Sequence, residues 1–247
     1  MGTLLQGRLL QWWRMGRLLH LSRALVLAAL GLGFAPLPTA LQLAQDSLQV
    51  AEETLLPYAV NIHRTPTQTW TGYGIYLGKG LFITAAHVVG RGWLTWPKVV
   101  VAGVEYPTEI VREGSFESTD LTLLSVDEKL LPMRLRLRHM EVCRHQPVAG
   151  EPVVTVVPEG VVPSRVISPE RIPISLRRFS TAIEDVARTG NSGSGVFDVQ
   201  QRCLLGIMSR KITQARSPLS MGKNYNRDVA KYFVPAREIA AFLPPGL

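Results

Sequence analysis

The sequence predicts an all-β fold, a sandwich or closed barrels, finished by a short C-terminal helix. Three observations carry this expectation. Short runs rich in Val, Ile, Leu and Thr recur along the chain, among them TGYGIYLG, GLFITAAHVV, KVVVAGVEYP, LTLLSV, EPVVTVV, SGVFDV and CLLGIMS, and such side chains suit pleated, half-buried strands. Gly, Pro and charged residues separate the runs as turns. No helical periodicity intervenes between them, as a βαβ fold would require.

With 46% apolar residues, 21 Gly and 17 Pro in 247 residues, the chain has the composition of a turn-rich globular protein and not of a disordered one. Its formal net charge is +8. Arg8, Arg14, Arg17 and Arg23 lie in a first stretch of 40 residues that has no Asp or Glu, and removing them leaves +4. So small an excess, with no basic tail or aromatic-basic interleaving outside that first stretch, excludes nucleic acid as an expected partner.

The first element is a leader. Ala24 to Ala35 (ALVLAALGLGFA) is an apolar run preceded by arginines and too short to span a bilayer comfortably. Read from Met15, it has the proportions of an export signal, and residues 1–40 are expected to direct the chain to the periplasm or the outside, with cleavage after Ala40. Left uncleaved, the same run anchors the chain to a membrane. Residues 41–56 read as a linker or short helix on the spacing of Leu41, Leu48 and Leu55. The strand runs follow, and MRLRLRH (Met133 to His139) alternates Leu with Arg as a half-buried strand does. At the end, a strand finishes at Val234, and a helix starts with Pro235 at its first position and is closed by Pro244.

Cys143 and Cys203 are the only cysteines, 60 residues apart and without metal-ligand spacing. A single disulfide and two buried thiols both fit. No cofactor or metal is expected.

Three clusters carry chemistry when taken together. In ITAAHVV an apolar strand ends in two alanines and His87; in STDLTLL the carboxylate of Asp120 opens an apolar strand; in TGNSGSGVF glycines flank Ser192 ahead of a buried strand. Singly, these are a packed histidine, a turn-capping Asp and a glycine hairpin. Jointly, they supply a hydroxyl nucleophile, the base it needs at neutral pH, and the acceptor that fixes the tautomer of that base. Gly190 and Gly193 let the backbone curl so that the amides of Gly190 and Ser192 form an oxyanion hole.

TAAHVV, the D-L-x-L-L run and GNSGSGVF resemble the chymotrypsin-like (trypsin-fold) serine peptidases, in particular the bacterial Deg/Htr-type proteases and glutamyl endopeptidases, over roughly Tyr58 to Pro235. The resemblance implies a peptidase domain over residues 57–247. It would be built of two packed six-stranded antiparallel β-barrels, divided near residues 130–150, with His87 and Asp120 from the first and Ser192 from the second. It selects Ser192 over Ser194, because the family places its nucleophile in G-N-S-G, while Asp127, an exposed acid beyond the apolar run, gives way to Asp120. Where digestive relatives keep an Asp before the serine this chain has Asn191, so activation by an inserted N-terminus is not expected. Val186, with Asp185 beside it, stands where tryptic relatives keep the Asp of their specificity pocket. Met208 stands where glutamyl endopeptidases carry His. Ser209 resembles the residue that binds substrate backbone by strand addition, with Arg210 or Lys211 as a charged rim to an aliphatic pocket. The function implied is exported peptide-bond hydrolysis through an acyl-enzyme, with a polypeptide as partner. The alternatives are an inactive peptide-binding module and a membrane-anchored signalling protease.

Overall fold

In a computed structural model of the chain, the structure describes residues 40–63, 72–91, 94–184, 192–215 and 226–245. The fold below is that of the compact unit Ala44–Leu247. The leader residues lie outside the described segments, and among the described residues no helix is long and apolar enough to cross a membrane.

Two curled antiparallel sheets make the fold. The first comprises β1 (Ala59–His63), β2 (Gly72–Gly78), β3 (Leu81–Thr84), β4 (Lys98–Val101), β5 (Val104–Pro107), β6 (Glu109–Glu113) and β7 (Thr122–Ser125), in the order β5-β4-β1-β2-β3-β7-β6. Tight turns set its register. Lys79 and Gly80 both adopt positive φ between β2 and β3, and Ala102 and Gly103 do so between β4 and β5, which is the backbone twist that two-residue hairpins require. The sheet has seven strands where the resemblance implied six. The extended stretch from Val104 to Glu113 bends after Pro107, pairs with β4 through its first half and with β7 through its second, and so brings the two edges of the sheet round toward each other.

The second sheet has six strands, β8 (Pro152–Val157), β9 (Gly160–Arg165), β10 (Ala182–Glu184), β11 (Gly195–Asp198), β12 (Leu204–Ala215) and β13 (Asn226–Pro235), ordered β10-β13-β12-β11-β8-β9. Its outer strands meet where Val166, just past β9, bridges Ile183 of β10, and the Ile167 N–H donates to the Ala182 carbonyl at 2.9 Å. Three of these strands carry weak sequence signals. β10 is three residues long, β9 contains Pro163, and β6 of the first sheet (EIVRE) has no fully buried position.

Each sheet wraps its inward side chains into a core. Ile62, Ile75, Tyr76, Phe82, Ile83, Leu123 and Leu124 fill the first, and the same cluster continues to Val154, Phe197 and Ile207 of the second sheet. Burying an aliphatic or aromatic side chain of this size contributes roughly 1.5–3 kcal/mol. A second cluster around Leu205, Phe233 and Val196 lies within the second sheet.

Residues 41–56, read from sequence as a linker or short helix, fall largely in a helix, α1 (Ala40–Leu55), whose Ala51 and Leu55 are buried in the first core; three- and four-residue spacing puts Leu48, Ala51 and Leu55 on one face. One stretch differs from the sequence reading. MRLRLRH is not a strand. Pro132 caps a one-turn helix, α3 (Met133–Arg136), and although Leu135 is buried, Leu137 is 81% exposed. Alternation produces a strand only where a partner edge is available, and among the described residues this stretch, which crosses between the sheets, pairs with no strand. The one-turn helix α2 (Ala86–Val89) follows β3, and α4 (Ala236–Phe242) ends the fold with Pro235 at its N-cap rather than inside it.

Cys143 and Cys203 form a disulfide with Cα atoms 5.1 Å apart, which resolves the alternative left open by spacing. It ties the segment between the sheets to the start of β12, where Val142 also bridges Leu204. Closing a loop of this length restricts the unfolded chain by about 2–4 kcal/mol. Reduction, or a Cys143→Ser/Cys203→Ser double substitution, is therefore expected to lower the denaturant midpoint by an equivalent amount with the same far-UV circular dichroism; an unchanged midpoint would show that the bond adds nothing.

Candidate active site

Strand pairing brings the three clusters to one place. β3 and β7 are antiparallel with Thr84 opposite Thr122, so the residues that follow β3 and those that precede β7 leave the sheet at the same end. His87, on α2, and Asp120 are thereby neighbours although 33 residues apart. In the second sheet Gly195 opposes Ile207, which places the turn before β11, with Ser192, next to Ser209 of β12.

A backbone contact joins the two ends. The Tyr73 N–H donates to the Ser192 carbonyl at 3.0 Å, and the Tyr73 carbonyl accepts from Thr84 Oγ1 at 2.5 Å. Gly193 lies against this pair with φ +88°, and a Cβ there would overlap the Tyr73 carbonyl and Thr84 Oγ1. Glycine is needed at 193 both for its dihedral and for its lack of a side chain. The Gly193 N–H donates to the Met208 carbonyl at 2.8 Å, fixing the turn to β12.

The polar geometry is directional. Asp120 is 1% exposed. Its Oδ1 accepts the His87 backbone N–H at 3.0 Å, and its Oδ2 accepts His87 Nδ1–H at 2.8 Å and the Ser209 hydroxyl at 2.6 Å. Burial pushes this carboxyl up, but the hydrogen bonds from His87 and Ser209 outweigh burial and hold it below the ordinary carboxylate value. An ionised carboxylate only accepts, so Nδ1 carries the proton and a neutral imidazole offers Nε2 as acceptor. Ser192 Oγ lies 2.6 Å from that Nε2, closer than its 3.3 Å approach to the Ser209 carbonyl. The hydroxyl proton thus points at a base whose other nitrogen is anchored.

The competing residues lie elsewhere. Ser194 is fully buried, and among the described residues its Oγ has no hydrogen-bond partner. Asp127 accepts from the Lys129 N–H as the cap of a single 3-10 turn. Gly190, expected as an oxyanion donor, and Val186, Asp185 and Asn191 lie outside the described residues. Ser209, read from sequence as a substrate-backbone residue, has a further contact through its hydroxyl on Asp120. Phe116 and Phe179 had no motif to mark them. Phe116 is 41% exposed and stands edge-on to the His87 imidazole with centroids 5.2 Å apart, and Phe179 packs on Tyr232 at 4.9 Å. Burial raises the Tyr232 hydroxyl to about 12.

The sign of the Asp120 shift gives a prediction. A carboxyl held below its unfolded value contributes stability that is complete above the ordinary carboxylate range, near 4, and is lost as pH falls through the lower folded value. Ser209→Ala removes one of the three donors. It should cost about 1–3 kcal/mol at pH 7 and shift the acid loss of stability to higher pH. Urea unfolding from pH 2 to 7 reads both effects, and identical curves for the two proteins would show that the Ser209 hydroxyl does not hold the carboxylate.

Comparisons with known proteins bear on the family and the fold. The family model described as the trypsin-like peptidase domain matches residues 72–207, more than half of the chain. No curated protein sequence matches it. Among solved structures, the Rv3671c protease from M. tuberculosis in its active form is 15% identical, with 83% of this chain and 86% of that one covered at a TM-score of 0.53. The serine endoprotease from Yersinia pestis is 17% identical, with 83% and 65% covered and a TM-score of 0.56. The HtrA-type protease AlgW with a tripeptide is 18% identical, with 76% and 60% covered and a TM-score of 0.54. At such identities the structural likeness is one of fold.

Proposed function

This chain belongs to the trypsin-like peptidase family, and on that premise we propose that it is an exported serine endopeptidase that works through an acyl-enzyme on Ser192. The observation that carries the reading is the unbroken chain from Ser192 Oγ to His87 Nε2 at 2.6 Å and from His87 Nδ1 to Asp120 at 2.8 Å. A serine hydroxyl attacks a carbonyl carbon only as its proton leaves, and His87 Nε2 is the acceptor in line for that proton. The imidazolium formed is stabilised by the ionised Asp120 and returns the proton to the leaving amine. The carbonyl oxygen gains negative charge in the tetrahedral intermediate, and the Ser192 N–H, with that of Gly190 as the resemblance implies, is the donor set for it. Water then attacks the ester by the same proton route and releases the acid.

Substrate would lie along β12. Pairing with β11 ends at Gly195 and Ile207, so among the described residues the side of β12 toward Ser192 has no strand partner from Ser209 onward. An extended polypeptide can add to that edge with its scissile carbonyl at Ser192.

Export is supported by two features of different kind. The leader has the positive-then-apolar order of an export signal, and the Cys143–Cys203 disulfide belongs to oxidising compartments.

Two experiments test this reading. A fluorophosphonate probe should label the protein, with Ser192→Ala abolishing labelling and casein hydrolysis and Ser194→Ala retaining labelling; equal labelling of the two variants would overturn the assignment of the nucleophile. Removal of the His87 imidazole should cost turnover about as much as loss of the serine, several orders of magnitude, because the groups act as one unit. For export, a fusion of residues 1–56 to a reporter active only outside the cytoplasm should report activity, and an inactive reporter with an intact cytoplasmic N-terminus would sink the leader reading.

A further inference from the structure

Arg210 is the residue after Ser209, at the start of the open edge of β12. A bulge at Ser209 resets the register, so that Arg210 opposes Tyr232 and Lys211 opposes Lys231. Arg210 therefore shares a face with Tyr232 and Phe179, and Lys211 takes the opposite face. The Arg210 guanidinium carbon lies 3.8 Å from the Phe116 ring centroid and 4.6 Å from that of Phe179. Its Nη2 donates to the Phe116 carbonyl at 2.6 Å and its Nε to Ser209 Oγ at 3.3 Å.

These contacts fix a planar cation at the mouth of the site without neutralising it. Both hydrogen-bond acceptors are uncharged, and among the described residues Arg210 forms no ion pair with a carboxylate. Nη1 is left over, on a half-buried side chain. A guanidinium is more weakly hydrated than an ammonium, and two aromatic rings hold this one in place, so little rotamer freedom is lost when it binds an anion. The cation sits one residue beyond the carbonyl that lies 3.3 Å from Ser192 Oγ. At about 3.3 Å per extended residue, it faces the second to fourth residues on the acyl side of the bond to be cut.

We propose that Arg210 is a carboxylate receptor that selects polypeptides bearing Asp or Glu two to four residues upstream of the scissile bond. This rests on the reading that substrate lies along β12, and it assigns to the non-reacting part of the substrate a chemical class that the catalytic residues do not set. The contact is a charge-assisted one to a positioned fork, with specificity coming from geometry as well as charge.

Binding can be read apart from turnover in the full chain carrying Ser192→Ala. Two fluorescent peptide pools that differ only in Glu against Gln at three consecutive positions are titrated by anisotropy at low and high salt. The Glu pool is expected to bind on the order of tenfold more tightly at low salt, the advantage shrinking as salt is raised and vanishing in the Ser192→Ala/Arg210→Gln double variant. Equal affinity for the two pools overturns the proposal, and so does a preference that survives Arg210→Gln. Digestion of a peptide library by the unsubstituted chain should return sites enriched in acidic residues upstream, and sites without that enrichment count against Arg210 as the receptor. Failure of the peptidase reading is separately visible: the acidic preference would remain in the binding titration while casein stayed intact.

Discussion

The close approach of Gly193 to the backbone of Tyr73 is the constraint on which the site depends. The nucleophile turn belongs to the second sheet and the base to the first, and only a residue without a Cβ lets the turn settle onto β2. Once there, the Ser192 carbonyl accepts from the Tyr73 N–H, and Thr84 Oγ1, at the end of the strand that leads to His87, donates to the carbonyl of the same residue, Tyr73. Serine and histidine are thus held in reach through Tyr73, by one backbone hydrogen bond on the serine side and one from the Thr84 hydroxyl on the histidine side.

The polar network then builds outward from a buried charge. Asp120 would be costly to bury alone, yet three donors converge on it, two from His87 and one from Ser209. The two His87 bonds set the position and tautomer of the imidazole. The Ser209 bond comes from the opposite sheet, so the carboxylate is also a polar pin between the two halves of the molecule. Arg210 extends this network by donating to Ser209 Oγ while stacking on Phe116, whose ring in turn meets the edge of His87. Chemistry and the proposed recognition of substrate therefore share one set of contacts.

Much of this was legible in the sequence because the signals are local. The β-rich runs, the turn glycines, and the short motifs around His87, Asp120 and Ser192 each depend on residues within a few positions of one another. Ser192 could be distinguished from Ser194 only through the family pattern, whereas in the structure the distinction is one of burial and distance. Of the strands that no run marked, β6, β9 and β10 have residues that are exposed, interrupted by proline, or too few to show a period, and β1 (AVNIH) alternates over only five residues.

Local pattern by itself determined the strand-rich class, the turn positions and the chemical types gathered at the site, because backbone preferences and side-chain alternation act over a few residues. Tertiary structure alone decided what depends on partners far away in the chain. MRLRLRH had the alternation of a strand and, among the described residues, pairs with none. Cys143 and Cys203 became a disulfide because the segment between the sheets runs beside β12. The contacts of Ser209 with Asp120, of Ser192 with His87 and of Arg210 with Phe116 join residues 89, 105 and 94 positions apart. No periodicity encodes such distances; they exist only after two sheets have closed and docked, and the conformation of one glycine allows them to dock.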